Sequence, residues 1–263
     1  MYPRRIVCLA AELPEIFDRL GALDRVVGIS AYTRRPAAAL RIPSVSGFSH
    51  GDVRRILGRR PDLVMLTSGV QRDLGERLAA QGVPLIHLNP HRLTDLYATI
   101  HLVGRLVGRE AAARTLVDEL FAGFAEIRAR GRGLARHPRV YFEEWPDPLI
   151  FGTGWVSDLI TLAGGVDVFR ARARTARTVA ARTVRWEEVV AQGPDLMIAS
   201  WCGRPFDPGV VWRRPGLQML SGVATGGLHG VEGEILQLGP MLLDAARNLQ
   251  AIFEQHAGLW ARA

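Results

Sequence analysis

The amino-acid sequence predicts an α/β protein made of two similar lobes, each with a parallel-type sheet. Short apolar segments alternate with amphipathic helical segments over residues 1–90, which is typical of a parallel sheet. One helix–turn–strand unit occurs twice, and a long stretch of helical period separates its two copies. Together these observations indicate two α/β lobes joined by a long helix.

The repeated unit has the same order of elements in both copies. Residues 53–69 have the sequence VRRILGRRPDLVMLTSG, and residues 186–202 have the sequence WEEVVAQGPDLMIASWC. Aligned on Pro61 and Pro194, each copy gives an amphipathic run, a Pro-Asp-Leu turn and an apolar strand. Ligands of open α/β sheets bind beyond the carboxyl ends of the strands. We therefore expect both strands to end at one ligand cleft between the lobes.

The first lobe has clear start and stop signals. Glu12 and Pro14 are expected to begin a helix that Gly21 ends. Ser49 or Asp52 is expected to cap a short helix before the first Pro-Asp turn. The predicted elements are strand 6–10, helix 12–21, strand 25–30, helix 49–57, strand 62–67, helix 71–82 and strand 83–90.

Residues 93–132 have helical period almost throughout, with glycines at 104 and 108 that predict breaks. This stretch is too long for one crossover, so we predict a lobe helix followed by a connecting helix. The predicted domains are an N-terminal lobe (1–108), a connecting helix (109–132) and a C-terminal lobe (133–263). A rigid connection of this kind limits hinge closure.

The second lobe repeats the alternation. We predict a strand over 139–145, a helix over 155–165, the second repeat over 186–202 and a final helix over 241–258. The arginine-rich stretch 170–185 fits a solvated loop better than an anion-binding patch.

Composition excludes several classes. The chain has 263 residues, 48% hydrophobic and 22% charged, which indicates an ordered globular protein. No apolar run is long enough to span a membrane, and the N-terminus lacks a signal-peptide core. As written the chain is therefore expected to be a cytoplasmic monomer, or exported if its true start lies upstream.

The net charge of +7 comes from arginine alone, since the sequence has no lysine. Coding bias explains this better than nucleic-acid binding, because no recognition motif is present. Cys8 and Cys202 form neither a disulfide framework nor a zinc motif.

Aromatic and polar residues are concentrated in the loops expected at strand ends. Aromatic side chains with a few polar groups suit a large, flat, amphipathic ligand. The candidate ligand-binding residues are Glu12, Tyr32, Phe48, Ser68, Trp145, Trp201, Phe206, His229 and Glu232.

Catalytic signals are weak. No nucleophile elbow, phosphate-binding loop or zinc-protease motif occurs. Glu143 and Glu144 are adjacent, so on a strand they point to opposite faces. A metal site needs about three or four convergent ligands. His50 and His229 are the histidines on predicted cleft loops, and a site that they form with Glu232 or Glu234 is a minor alternative. We expect no enzyme, no metal and no prosthetic group.

With these residues in place, nearly the whole chain resembles the helical-backbone (class III) periplasmic substrate-binding proteins of ABC importers. Those proteins bind cobalamin, ferric siderophores or haem. The first lobe carries the resemblance in RIVCLAAELPEIFDRLGALDRVVGIS and VSGFSHGDVRRILGRRPDLVMLTSG. The second lobe carries it in EEWPDPLIFGTGWVSDLITLAGGVDVF, WEEVVAQGPDLMIASWCG and LQLGPMLLDAARNL.

The resemblance is strongest to the cobalamin-binding branch. Tyr32 falls where that branch has a corrin-contacting tyrosine, and Phe48 falls where it commonly has an aromatic residue. The resemblance implies two Rossmann-like lobes, a connecting helix, a shallow cleft and no catalysis. It also implies acidic docking residues that meet arginines of a permease.

Candidates for docking are Asp52 in the first lobe and Glu187 and Glu188 in the second. The positions of the first repeat that match Glu187 and Glu188 carry Arg54 and Arg55 instead.

Three functions compete on this basis. The leading hypothesis is a cobalamin-binding protein that feeds an ABC importer, with a ferric siderophore or haem as the alternative ligand. A cytoplasmic corrinoid- or metal-handling factor without a transporter is the second. A third is an enzyme that holds an anionic substrate at the GTGW turn, residues 152–155.

Overall fold

The computed structural model describes residues 2–48 and 50–260 and divides into two compact units. Unit 1 contains the chain up to Pro90, Thr94–Leu120 and Gln237–Pro240. Unit 2 contains His91–Leu93, Phe121–Leu236 and the chain from Met241 onward. The division into lobes at residues 108 and 132 remains a prediction.

Unit 1 is built on a five-stranded sheet of order β3-β2-β1-β4-β5, and every strand pair in it is parallel. Its strands are β1 (Ile6–Cys8), β2 (Val26–Ser30), β3 (Ser44–Ser46), β4 (Leu63–Thr67) and β5 (Leu85–Leu88). Its helices are α1 (Leu13–Arg19), α2 (Val53–Leu57), α3 (Arg72–Ala79), α4 (Thr94–Val107) and the first part of α5 (Glu110–Arg132). The predicted alternation of strands and helices is confirmed.

The core of unit 1 lies on both faces of its central strands. Val7 of β1 and Val64 of β4 are 0% exposed and belong to one apolar cluster. Cys8 and Met65, the next residue of each strand, point to the opposite face and are also 0% exposed. Strands covered on both faces have continuous apolar sequences, which explains the uninterrupted hydrophobic run of each strand.

Unit 2 contains a second five-stranded sheet of order β10-β9-β6-β7, in which β8 also pairs with β6. Its strands are β6 (Arg139–Pro146), β7 (Leu149–Phe151), β8 (Val166–Asp167), β9 (Leu196–Ala199) and β10 (Leu228–Gly230). Its helices are the rest of α5, α6 (Gly154–Leu162), α7 (Arg170–Ala173), α8 (Trp186–Gln192), α9 (Pro208–Trp212), α10 (Ser221–Ala224) and α11 (Leu242–Trp260).

Strand β7 was not predicted from the sequence, and it is antiparallel to β6. Only Asp147 and Pro148 separate the two strands. A connection this short can join only antiparallel neighbours, because a parallel crossover needs a dozen residues or more. The second sheet is therefore mixed, whereas β6, β8, β9 and β10 pair in parallel as expected.

The aspartate of the repeated Pro-Asp-Leu turn has the same role in both units. Asp62 accepts hydrogen bonds from the backbone N–H groups of Arg4 and Arg5, at 2.7 and 3.0 Å. Asp195 accepts one from the backbone N–H of Arg139 at 2.8 Å. Each carboxylate thus satisfies backbone donors at the start of the neighbouring central strand, β1 or β6, and ties the helix–strand turn to it.

A second contact of the repeat comes from arginines outside it. The guanidinium of Arg5 donates to the carbonyls of Arg59 and Arg60 at the end of the α2 segment. The guanidinium of Arg139 donates in the same way to the carbonyls of Gln192 and Gly193 after α8. In each unit an arginine at the start of the central strand therefore binds carbonyls at the C-terminal end of the repeat's helix, α2 or α8, where helix carbonyls lack partners within the helix.

The glycines in the long helical stretch have different roles. Gly108 has φ of +67° and separates α4 from α5, so the predicted break there is confirmed. The break predicted near Gly104 is wrong, because Gly104 lies inside α4. A Cβ at this position would lie 2.6 Å from the Cβ of Ala113 in α5. Gly104 therefore permits close packing of the two helices.

Two local expectations have mixed outcomes. Asp52 caps α2 by accepting the backbone N–H of Arg54 at 2.9 Å, while the alternative cap, Ser49, lies outside the described residues. The arginine-rich stretch was expected to be a loop, yet it begins with α7 and contains a 3-10 turn at Ala180–Arg182. Arg182 is buried there because it pairs with Glu144.

Among the helices that the structure describes, none combines the length and the apolar character needed to cross a bilayer.

Candidate functional site

Tyr32 and Phe48 come together at the carboxyl edge of the sheet in unit 1. Tyr32 follows β2 and Phe48 follows β3, and these two strands are parallel neighbours. The two rings are in edge-to-face contact, with centroids 5.9 Å apart and an interplanar angle of 70°. Phe48 remains 37% exposed. The pair therefore presents an aromatic surface to solvent, as an amphipathic ligand requires.

The loop that carries Tyr32 is fixed by two side chains. The hydroxyl of Ser30 accepts a hydrogen bond from the backbone N–H of Tyr32 at 3.2 Å. The side-chain amide of Gln237, which belongs to unit 1, donates to the backbone carbonyl of Tyr32 at 3.2 Å. These bonds leave the ring of Tyr32 available while holding its backbone.

Gln71 holds the loop of Phe48, and sequence reasoning missed it. Its side chain is fully buried, and its Nε2 donates to the carbonyls of Phe48 and Leu9 at 2.8 and 3.0 Å. Its Oε1 accepts the backbone N–H of Thr67 at 2.9 Å. One amide therefore connects the carboxyl ends of β1, β3 and β4.

Ser68 directly follows β4 and has an uncommon backbone conformation. Its φ is +57°, a region that residues other than glycine adopt at a cost of about 1–3 kcal/mol and often near functional sites. Its carbonyl accepts a hydrogen bond from Nε2 of His87 at 2.7 Å. The strained turn is thus supported by a side chain of the neighbouring strand, β5.

Glu12 follows β1 at the same edge of the sheet, but its side chain is only 6% exposed. Burial raises the pKa of this carboxyl to about 7, although hydrogen bonds to its own backbone and to Thr67 oppose the shift. Near pH 7 this carboxyl group is therefore partly protonated. Because the side chain is buried at the strand ends, it does not contact a large ligand directly in this conformation.

In unit 2, Trp145 lies at the end of β6 and is half-buried. Its indole N–H donates to the carbonyl of Asp147 at 2.8 Å. The guanidinium of Arg204 lies 5.8 Å from the centroid of Trp145 and 5.0 Å from that of Trp201. The exposed arginine thus connects two of the predicted aromatic residues by cation–π contacts.

Trp201 follows β9 but is only 3% exposed, so its predicted contact with ligand would require movement. Its indole N–H donates to Glu143 at 3.1 Å. Glu143 is fully buried and accepts two hydrogen bonds from Arg214, at 2.6 and 2.9 Å. A third donor is the hydroxyl of Tyr141 at 3.1 Å. The buried carboxylate is fully paired and fixes the segment around Trp201.

The other predicted residues of unit 2 have separate environments. Phe206 is half-buried, lies edge-on to Trp201 at 5.1 Å and packs where a Cβ on Gly230 would be only 2.6 Å from its ring. Glu232 is exposed, and its carbonyl accepts the hydroxyl of Ser200 at 3.2 Å.

His229 lies within β10 rather than in a loop, and its Nε2 lies 2.8 Å from Nε2 of His256 in α11. One ring therefore donates to the other, which requires that at least one of them be neutral at this nitrogen. Burial lowers the pKa of both imidazoles, and for His229 the neighbouring imidazole lowers it further. Sequence reasoning did not connect these residues, because their strand and helix have unrelated patterns.

The GTGW turn, which was considered as an anion-binding turn, and the carboxylates of Glu144 and Asp158 have structural partners within unit 2. Glu144 pairs with Arg182, and Asp158 accepts two hydrogen bonds from Arg92, at 2.8 and 2.5 Å. A Cβ on Gly154 in the GTGW turn would lie 2.4 Å from the carbonyl of His91. Within the described ranges, no three acidic, histidine or cysteine side chains cluster as a metal site.

The predicted docking residues lie at helix starts. Asp52 is exposed and caps α2. Glu187 is exposed in the first turn of α8. Glu188 accepts the backbone N–H of Arg185 at 2.9 Å and pairs with Arg172 at 3.2 Å, and these contacts lower its pKa.

Two α/β units with aromatic residues at the carboxyl ends of their strands are the architecture of a ligand-binding α/β protein. The chain belongs to the periplasmic binding protein family, whose model matches residues 6–229. The proteins of this family are substrate-binding proteins.

Relatives of this chain with low sequence identity are also named as binding proteins. An uncharacterized ABC transporter substrate-binding lipoprotein of Bacillus subtilis (strain 168) is 22% identical, over 94% of this chain and 79% of its own length. The vitamin B12-binding protein of Yersinia pestis (strain Pestoides F) is 24% identical, over 74% of this chain and 69% of its own length.

The periplasmic heme-binding protein RhuT of Roseiflexus sp. RS-1, in apo form, is similar in structure with a TM-score of 0.80. It is 23% identical, and the match covers 97% of this chain and 99% of that one. At this identity the likeness shows the fold.

Proposed function

We propose that this chain is a non-catalytic substrate-binding protein of an ABC importer and that its ligand is a flat metal chelate, in the first place cobalamin or a related corrinoid. The Tyr32–Phe48 pair carries this proposal. Family membership supports the binding role, and a vitamin B12-binding relative supports the corrinoid.

The aromatic pair suits a flat ligand because its backbone is fixed while its rings remain accessible. Phe48 is 37% exposed, and Gln71 holds its carbonyl from below. A preorganised aromatic surface binds without the entropy cost of ordering a loop. Stacking against an extended ring system adds roughly 0.5–1.5 kcal/mol per aromatic contact beyond the area buried.

In unit 2 the proposed contacts come from Trp145, Phe206 and the exposed Glu232. We do not assign ligand contacts to Trp201 and Glu12, since both side chains are buried; their proposed role is to hold the residues around them in place. Arg204 spans Trp145 and Trp201 and offers a positive charge next to the aromatic surface. A guanidinium here suits amide or carboxylate substituents around the rim of a tetrapyrrole.

Haem and ferric siderophores are the alternative ligands. A heme-binding protein shares the fold, and the arginine-rich composition suits anionic chelates. All three ligand types present a broad surface and absorb light in distinct ways, so a spectrum of the bound form separates them.

A second candidate function is a corrinoid- or metal-handling factor that works without a transporter. The observation that favours it is the charge of α2, where Arg54 and Arg55 are exposed at the positions matched by Glu187 and Glu188 in α8. Fractionation of the native host distinguishes the candidates, because a transporter-coupled protein is found outside the cytoplasmic membrane and an uncoupled factor in the cytoplasm.

The experiment that tests the proposed site uses Tyr32→Ala, Phe48→Ala and the double variant. Each single change is expected to weaken cobalamin binding about 5- to 30-fold, which corresponds to about 1–2 kcal/mol. Quenching of the intrinsic tryptophan fluorescence by added cobalamin measures the affinity.

The control is Phe121→Ala, which removes another exposed aromatic side chain (61% exposed) from helix α5. Its affinity should equal that of the unmodified protein. Unchanged affinity in the Tyr32 and Phe48 variants would remove these residues from the site.

A further inference from the structure

A cavity of about 770 Å³ lies entirely within unit 1, and none of the predicted ligand-contacting side chains lines it. Its walls come from β3, α2 and α3. Val45 and Leu74 form an apolar floor, and both are at most 3% exposed. Val70 lies at the rim and is 40% exposed. The cavity can therefore accept an apolar group.

Two guanidinium groups face this cavity from different helices. Arg55 lies on α2, and it uses one donor on the carbonyl of Ser44 at 3.2 Å. Arg77 lies on α3, and across the described ranges it has neither an ion pair nor a side-chain hydrogen bond. An arginine carries five N–H donors, so the two side chains retain most of their capacity for an oxyanion.

Ser46 also belongs to the cavity wall, but its hydroxyl is not offered to a ligand. The residue is only 8% exposed, and its Oγ is buried without a hydrogen-bond partner. An oxygen that water cannot reach is also out of reach of a ligand in the cavity. The polar contacts of a ligand would therefore come from the two arginines.

Two carboxylates and one imidazole, that of His50, also line the cavity. Asp52 accepts the backbone N–H of Arg54 at 2.9 Å, and Asp73 lies 3.8 Å from Nε of Arg72 in an exposed ion pair. These neighbours reduce the repulsion that the two carboxylates exert on an anion. The positive groups available to an anion are therefore the two guanidinium groups.

We propose that this β3–α3 cavity is a second binding site, which takes a small organic anion. Its carboxylate or phosphate binds Arg55 and Arg77, and its apolar body packs on Val45 and Leu74. The site is independent of the Tyr32–Phe48 surface and adds a function to the binding role.

The test titrates the full-length, ¹⁵N-labelled protein with benzoate, phenyl phosphate, inorganic phosphate and benzyl alcohol. The amide signals of Gly47 and Gly51, two glycines of the cavity wall, report binding. Benzoate or phenyl phosphate is expected to give saturable shifts, and benzyl alcohol, which lacks the charge, is expected to bind at least about tenfold more weakly. Inorganic phosphate, which lacks the apolar body, is also expected to bind more weakly than phenyl phosphate.

Variants assign the effect to individual side chains. Arg77→Gln and Arg55→Gln are each expected to weaken the anion about 10- to 100-fold. The matched control is Arg54→Gln, since Arg54 is next to Arg55 in the sequence but does not line the cavity. This variant loses the same charge and should change the affinity for the anion by no more than about twofold, because surface charges contribute little.

Two further measurements separate this site from the proposed function. The Tyr32→Ala, Phe48→Ala double variant should still bind the anion, and Arg77→Gln should still bind cobalamin. The proposal is overturned if neither aromatic anion gives saturable shifts, if benzyl alcohol binds equally well, or if Arg54→Gln and Arg77→Gln behave alike. Loss of anion binding in the double variant would also overturn it, since the two sites would then be one.

Discussion

Glu12 shows how the fold changes the chemistry of a single side chain. Its carboxyl group lies under the carboxyl ends of the strands in unit 1, and burial raises its pKa to about 7. In an unfolded chain this carboxyl group would have its ordinary pKa of 4.5. Between these two values the folded protein retains a proton that the unfolded protein has released, so the free energy of unfolding falls as the pH rises and levels off above pH 7.

Glu12→Gln removes this titration and keeps the shape of the side chain. Its free energy of unfolding should depend less on pH between 5 and 7 and should exceed that of the unmodified protein at pH 8, by at most roughly 3 kcal/mol. Urea unfolding at several pH values, followed by tryptophan fluorescence, measures the difference.

Glu187→Gln is the control for Glu12→Gln, because Glu187 is an exposed carboxylate and should leave the pH profile unchanged. Equal pH profiles for Glu12→Gln and the unmodified protein would contradict the assignment of a raised pKa to Glu12.

The residues that could be predicted for the site are those that follow apolar strands. Tyr32 was selected by this rule, since it follows the predicted strand 25–30. Phe48 was selected as an aromatic residue in a loop expected at a strand end, although strand β3 before it was not predicted, and the two rings do meet. Gln71 and Arg214 could not be predicted, because their partners Leu9 and Glu143 lie 62 and 71 residues away. A polar residue that acts through such distant contacts leaves no periodic signal in the sequence.

At the scale of elements, Gly104 shows that a glycine in a helical pattern can indicate either a helix break or close packing between two helices. A glycine in a helical pattern lowers helix propensity by about 1 kcal/mol relative to alanine, which favours a break. The structure instead uses the absence of a side chain for contact between α4 and α5, since the Cβ of Ala113 occupies the space. The sequence of α4 alone could not distinguish a break from a close helix contact, because the residue that Gly104 contacts lies in α5.

Gly104→Ala is therefore expected to destabilise the protein although alanine favours helix. Overpacking of this kind costs about 1–3 kcal/mol, which exceeds the gain in helix propensity. The midpoint of urea unfolding measures the change.

Gly258→Ala in α11 is the control for Gly104→Ala, because no atom of the described part of the chain lies within 4 Å of a Cβ at that position. It should be neutral or slightly stabilising. A Gly104→Ala protein as stable as the unmodified one would show that α4 and α5 are not in close contact at this point.

The repeated helix–turn–strand unit was the most predictable element, because its signals are local. The Pro-Asp turn, the apolar strand after it and the helix before it all lie within 17 residues of sequence in each copy. The guanidinium contacts of Arg5 and Arg139 that stabilise the turns were not predicted, since they come from the adjacent strand. Strand β7 escaped prediction because Pro148 and Gly152 on its two sides leave an apolar run of only three residues, Leu149–Phe151.

At the scale of the whole molecule, the class of protein follows from the order of its elements, whereas the ligand depends on a few side chains. The family model covers residues 6–229, and apolar periodicity alone indicated the two α/β units. Cobalamin, haem and ferric siderophores place similar demands on that architecture. The identity of the ligand is therefore decided by side-chain detail and must be measured.

The most direct measurement is an equilibrium titration of the unmodified protein with cyanocobalamin, hemin and a ferric catecholate, each followed by tryptophan quenching and by the absorption spectrum of the ligand. We expect saturable binding of one molecule per chain, tightest for cyanocobalamin, with a dissociation constant in the micromolar range or below. Tighter binding of hemin or the ferric catecholate would replace the corrinoid by that ligand. Absence of saturable binding by all three at tens of micromolar would contradict the proposal that the chain binds a metal chelate of this group.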